Sequence, residues 1–103
     1  MIPEIDQHRD EIIAICEEFE VRRLYLFGSA TSKDFDSGCS DLDFLVIYPD
    51  DYDYGPFGAR YLELKERLEL LFQRRVDLVM GRNLRNPVFI DSVRATRRLL
   101  YAA

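Results

Sequence analysis

The sequence predicts an α/β domain, a small mixed β-sheet flanked by helices, and three observations carry that reading. Short apolar runs at 22–27 (RRLYLF), 42–48 (LDFLVIY) and 75–80 (RVDLVM) have the length and residue types of buried strands. Apolar residues recur at helical spacing over 6–20 and 57–73. The two patterns alternate along the chain without internal repeats, as expected of helices layered on a sheet.

Ile5, Ile12, Cys16 and Phe19 fall on one helical face with acidic residues between them, which predicts an amphipathic helix over 6–20 with Asp6 as its N-cap. His8 is expected to be exposed and inert on it. The first strand ends at Gly28, and the polar stretch Ser29 to Ser40 reads as a short helical turn followed by a loop that pivots at Gly38. After the second strand, residues 49–58 (PDDYDYGPFG) break regularity with two prolines and two glycines. Phe57, Tyr61, Leu64, Leu68 and Leu71 then mark a helix to about residue 73, with Glu63 and Arg67 paired one turn apart. Following the third strand, Asn86-Pro87 opens a final helix to about Leu100, because proline suits a first helical turn.

At 103 residues the chain reads as one domain, and 48% apolar with 32% charged residues makes it globular rather than disordered. A net charge of −5 argues against nonspecific nucleic-acid binding, which needs many Lys and Arg on phosphates. The charge is uneven, with Arg82, Arg85, Arg94, Arg97 and Arg98 against Asp91 alone in residues 82–103. Either these arginines form a solvated helix face, or some meet nucleotide phosphates or an acidic partner. No apolar run approaches the roughly 18 residues of a membrane span, and Glu4, Asp6, Asp10 and Glu11 replace the basic-then-apolar start of a signal peptide. A cytoplasmic protein without a membrane partner is expected. Cys16 and Cys39 lack zinc-site spacing and are expected to be free thiols.

Asp41 and Asp43 carry the chemistry. Two carboxylates one residue apart at the entrance of an apolar strand project from one face, where they repel unless a hard cation such as Mg²⁺ sits between them. Gly28-Ser29, at the end of the preceding strand, supplies a close backbone approach and a hydroxyl for an anion. Together they describe a metal-bound phosphate held between a loop and a strand. Asp77 interrupts Val76, Leu78, Val79 and Met80, where an ionised carboxylate needs compensation. A salt bridge to Arg74 or Arg75, or an edge position open to water, would supply it; if the third strand lies beside the second, Asp77 instead joins Asp41 and Asp43 around one or two metals.

Gly28-Ser29, the spaced Asp41-Leu42-Asp43 and the later Asp77 resemble the minimal nucleotidyltransferases of the DNA-polymerase-β-like superfamily, over nearly the whole chain. The resemblance implies that residues 1–103 are a single minimal nucleotidyltransferase domain with the polymerase-β-like fold. It implies Asp41, Asp43 and Asp77 as catalytic residues and ligands of two Mg²⁺ ions, with Mn²⁺ as a substitute. Gly28, Ser29, Ser40 and Lys33 are the implied nucleotide- and phosphate-binding residues. Two departures stand out: the gap after Ser29 is one residue longer than usual, and Ala30, Thr31 and Ser32 replace the arginine that often follows, leaving Lys33 as the nearest cation.

The implied reaction is transfer of a nucleotide, AMP from ATP, to a hydroxyl by in-line displacement. Similar minimal chains are antitoxins that transfer AMP to a tyrosine of a HEPN-type helical toxin, so a HEPN-type protein is the implied acceptor and partner. Tyr48, Tyr52, Tyr54, Pro56 and Phe57 form a candidate docking rim, unless Phe57 tucks into the core and the stretch is an ordinary loop. The alternative function is a catalytically silent antitoxin that neutralises its partner by binding alone. A metal-dependent glycosyltransferase also uses Asp-x-Asp, but such enzymes are usually far longer.

Overall fold

The computed structural model describes residues 3–28 and 41–103, so the helical turn, the Gly38 pivot and Cys39 of the intervening stretch lie outside the described residues. The chain runs α1 (Pro3–Gln7), α2 (Arg9–Glu18), β1 (Arg23–Phe27), β2 (Leu42–Ile47), α3 (Ala59–Phe72), β3 (Val76–Met80), α4 (Pro87–Thr96) and β4 (Arg98–Ala102). The four strands make one mixed sheet in the order β3-β2-β1-β4. β1 is antiparallel to both β2 and β4, whereas β2 and β3 are parallel and joined through α3, because parallel neighbours require a crossover.

Alternation along the strands divides the molecule. Leu24, Leu26, Leu42, Phe44, Val46, Val76, Leu78 and Leu100 point to the main core, where they meet Ile5, Ile12, Phe19, Leu64 and Leu68 of α1 to α3 and the turns beside them. Phe27 and Leu45 point to the opposite face and pack with Val93 of α4. That second face also carries Asp43 and Asp77, since each alternates with the core residues of its strand.

The sequence reading needs correction in several places. The first helix is broken at His8, whose φ of −111° and ψ of 19° separate α1 from α2, so Asp6 lies inside α1 and pairs with Arg9 at 3.1 Å instead of capping. His8 is half-buried: its Nδ1–H donates to Glu11 at 2.9 Å, and its ring meets Phe72 edge-on at 5.5 Å. Arg67 reaches across to Glu18 at 2.7 Å rather than down its own helix to Glu63.

The last helix starts as expected, with Pro87 at its first turn and the Asn86 Oδ1 accepting the Val88 N–H at 2.9 Å. It ends at Thr96, however, and the following residues form β4. Pairing with β1 satisfies backbone groups that a longer helix would leave at the sheet edge, and a bulge between Leu24 and Tyr25 absorbs the change of register.

Cys16 is a free, buried thiol, and burial pushes its pKa up to about 12. Among the described residues, no helix is long and apolar enough to cross a membrane.

Candidate active site

β2 places Asp43 between two strands. On one side it is in register with Phe27 of β1, and on the other with Asp77 of β3, so two carboxylates stand on neighbouring parallel strands and on one face. Asp43 is half-buried, while Asp41 and Asp77 are exposed. Burial, and then repulsion from Asp77 and Asp41, raises the Asp43 pKa to about 6.

Asp77 sits on the edge strand and is open to water, one of the arrangements that its apolar neighbours permit. The alternative, a bridge to Arg74 or Arg75, is not made among the described residues; Arg74 Nη2 instead donates to both oxygens of Glu4, at 2.7 and 2.9 Å. Beside Asp77, the Tyr61 hydroxyl donates to the Leu78 carbonyl, and burial followed by the Asp77 charge raises the phenol pKa.

Gly28 closes the site from β1. Its φ of +74° lies in the left-handed region, and a Cβ there would sit 2.6 Å from Asp43 Oδ2. The glycine therefore makes room for the carboxylate. Its N–H donates to Thr96 Oγ1 at 3.0 Å, and that hydroxyl donates to the Ser92 carbonyl, also at 3.0 Å. Thr96 thus ties the end of α4 to the end of β1. Sequence reasoning missed it, because a threonine in the last helical turn carries no signal of a partner 68 residues away.

The structure thus brings together Gly28, Asp43 and Asp77, with Asp41 near enough to repel Asp43. Ser29, Lys33 and Ser40 lie outside the described residues. The donor set fits a hard divalent cation: oxygen ligands, net negative charge and a carboxylate whose ionisation is opposed by its neighbours. Among the described residues, no group of three metal-ligating side chains is gathered as a cation site.

The aromatic rim divides. Tyr48 is buried, Tyr52 stacks on it with ring centroids 4.2 Å apart, and Tyr54 packs edge-on to both. Phe57 is fully exposed and does not tuck into the core.

Residues 9–100 match the family model of the nucleotidyltransferase domain. Over 72 residues the chain is 38% identical to the protein adenylyltransferase MntA of Thermococcus cleftensis, covering 70% of this chain and 68% of the relative. A solved candidate minimal nucleotidyltransferase is 26% identical with a TM-score of 0.72, covering 91% of this chain and 90% of its own. The fold also matches the solved complex of a tri-AMPylated Shewanella oneidensis HEPN toxin with its MNT antitoxin, with a TM-score of 0.67 and 23% identity, covering 96% of this chain and 73% of that one.

Proposed function

Because the chain belongs to the nucleotidyltransferase-domain family, we propose that it transfers AMP from ATP to a tyrosine hydroxyl of a HEPN-type helical toxin and so acts as that toxin's antitoxin. The observation that carries this reading is the in-register placement of Asp43 and Asp77 on adjacent parallel strands beside Gly28. The Thermococcus relative, a protein adenylyltransferase, supports a protein acceptor, and the AMPylated toxin in the Shewanella complex supports a HEPN partner.

Asp41, Asp43 and Asp77 would hold Mg²⁺, with Mn²⁺ able to replace it. The bound cations would neutralise the triphosphate and lower the pKa of the acceptor hydroxyl. The acceptor oxygen forms a bond to the α-phosphorus as the bond to the bridging β-phosphate oxygen breaks, and pyrophosphate leaves with that electron pair. The proton of the hydroxyl passes to a carboxylate oxygen of Asp77, which is open to an incoming group. Gly28 keeps the space beside Asp43 clear, and Ser29, Ser40 and Lys33 would contact the phosphates. Most of the rate then comes from positioning and charge neutralisation.

Intact-mass measurement of a purified HEPN-type partner, incubated with this chain, ATP and Mg²⁺, tests the reading. The partner should gain the mass of AMP on tyrosine, and an Asp43→Asn chain should not produce it. Protection of cells without any mass gain would leave inhibition by binding alone.

A further inference from the structure

The segment between β2 and α3 is tied down at its base and bare at its tip. Tyr52, stacked on Tyr48, donates its hydroxyl hydrogen to the Phe19 carbonyl at 2.6 Å and accepts from Arg60 Nε at 2.8 Å. The backbone N–H of Arg60 donates to the Tyr54 carbonyl at 3.0 Å, and that of Gly58 to the Gly55 carbonyl at 3.2 Å. These bonds hold the turn Pro56–Gly58, where Gly55, Phe57 and Gly58 have left-handed φ values of 75°, 55° and 71°. The glycines adopt them without penalty, whereas Phe57 does so against its own β-carbon and with its side chain fully exposed.

Beside Phe57 runs a groove of about 350 Å³, lined also by Tyr54, Tyr61, Leu62, Met80 and Asn83, none of them charged. It reaches β3 at Met80, three residues after Asp77, roughly 10 Å along the strand at about 3.3 Å per residue. Because β3 is an edge strand, a protein seated on the groove passes round that edge to Asp77 without crossing the sheet. Asp50, Asp51 and Asp53 stand exposed on the same segment and form no ion pair among the described residues.

We propose that Phe57 anchors the acceptor protein, its ring entering an apolar pocket there while the groove receives the apolar rim of that pocket and the three aspartates meet basic residues around it. The proposal rests on the nucleotidyl-transfer reading and adds to it the face of this chain that holds the acceptor. An exposed aromatic ring on a backbone already fixed by hydrogen bonds loses little freedom on binding, as interface anchors require. The aspartates select a basic counterpart. They also oppose a second copy of this chain, because a two-fold contact would set the same acidic segment against itself.

Calorimetric titration of a purified HEPN-type partner, together with its rate of AMP gain, tests the surface. Phe57→Gly removes the ring and suits the left-handed backbone, so the melting temperature should stay near that of the wild type. Phe57→Gly and Leu62→Asp should each weaken partner binding at least about tenfold and raise the KM for the partner to match, with kcat and the KM for ATP within about twofold of wild type. Asp50→Lys combined with Asp51→Lys should slow association at low salt and lose that effect at high salt. Wild-type partner affinity in both Phe57→Gly and Leu62→Asp would overturn the proposal while leaving AMP transfer intact. Phe57-dependent binding of a partner that gains no AMP would instead uphold the surface and remove the transfer reading. Self-association of the chain alone, abolished by Phe57→Gly, would give the turn to a second copy and overturn the proposal as well.

Discussion

Gly28 lies so close to Asp43 that a side chain on the glycine would begin 2.6 Å from the Oδ2 of the aspartate. The two residues come from strands that run in opposite directions, and the pairing of Phe27 with Asp43 holds them together. The size of one residue therefore controls where the carboxylate of another can point.

Substitution at this glycine should consequently damage activity more than stability. Gly28→Ala adds a left-handed backbone cost of about 1 kcal/mol and pushes the Asp43 carboxylate from its position. Gly28→Val should abolish AMP transfer, whereas Ser29→Ala should cost at most a charge-assisted hydrogen bond, roughly 1.5–3 kcal/mol in transition-state stabilisation. Initial rates over a range of ATP concentrations, with melting curves for each variant, measure the order. A wild-type rate in Gly28→Val would disconnect this position from the chemistry.

The raised Asp43 pKa gives a pH dependence of definite sign. With a value of about 6 in the folded protein against 3.8 ordinarily, the native state binds more protons between those values, so this group lowers stability as pH rises through that window. The metal-free protein should therefore gain less stability from Asp43 at pH 7 than at pH 5. The difference between wild-type and Asp43→Asn melting temperatures isolates the contribution from other titrating groups. An identical pH response in the two proteins would show that Asp43 titrates normally. Mg²⁺ needs the ionised form, so any stabilisation by Mg²⁺ and ATP should weaken as pH falls below about 6.

Much of this arrangement is legible in the residues, and the exceptions have physical causes. Asp43 and Asp77 betray themselves because each interrupts an apolar strand, and the alternation of β2 places Asp43 opposite the core face before any tertiary contact is known. β4 escapes notice because Arg97 alone separates it from α4, with no glycine or proline to punctuate the change. The break at His8 is equally unmarked. Glu18 with Arg67, and Glu4 with Arg74, pair across distant parts of the chain, where local spacing carries no information. The bond from Gly28 to Thr96 belongs to the same class.

That bond makes Thr96 a positioning residue with a testable signature. Thr96→Val keeps the shape of the side chain but removes the acceptor of the Gly28 N–H, at a cost of about 1 kcal/mol in stability. Because Gly28 borders Asp43, the rate should fall further than this loss explains, with kcat affected more than the KM for ATP. Thr96→Ser retains the hydroxyl and should restore most of the rate. Equal rates in the valine and serine variants would reduce Thr96 to a surface residue of α4.

The aspartates themselves separate catalysis from scaffold. Asp77 is exposed on an edge strand, so Asp77→Asn should leave stability within about 0.5 kcal/mol of wild type, as surface substitutions usually do. Asp43→Asn should stabilise the metal-free protein at neutral pH, because it removes a charge that Asp77, Asp41 and partial burial all oppose. On the proposed mechanism both substitutions should nevertheless lower AMP transfer by orders of magnitude, since each would delete a ligand charge and Asp77→Asn would also delete the proposed proton acceptor. A protein that becomes more stable as it becomes less active is what a site built from mutually repelling carboxylates requires. Measuring melting temperature and transfer rate on the same preparations decides the matter, and a protein that gains stability while keeping full activity would place the reacting groups elsewhere. Partner binding by these variants supplies the remaining distinction: full protection of cells by an inactive, well-folded Asp43→Asn chain would mean that the toxin is neutralised by complex formation, with transfer dispensable.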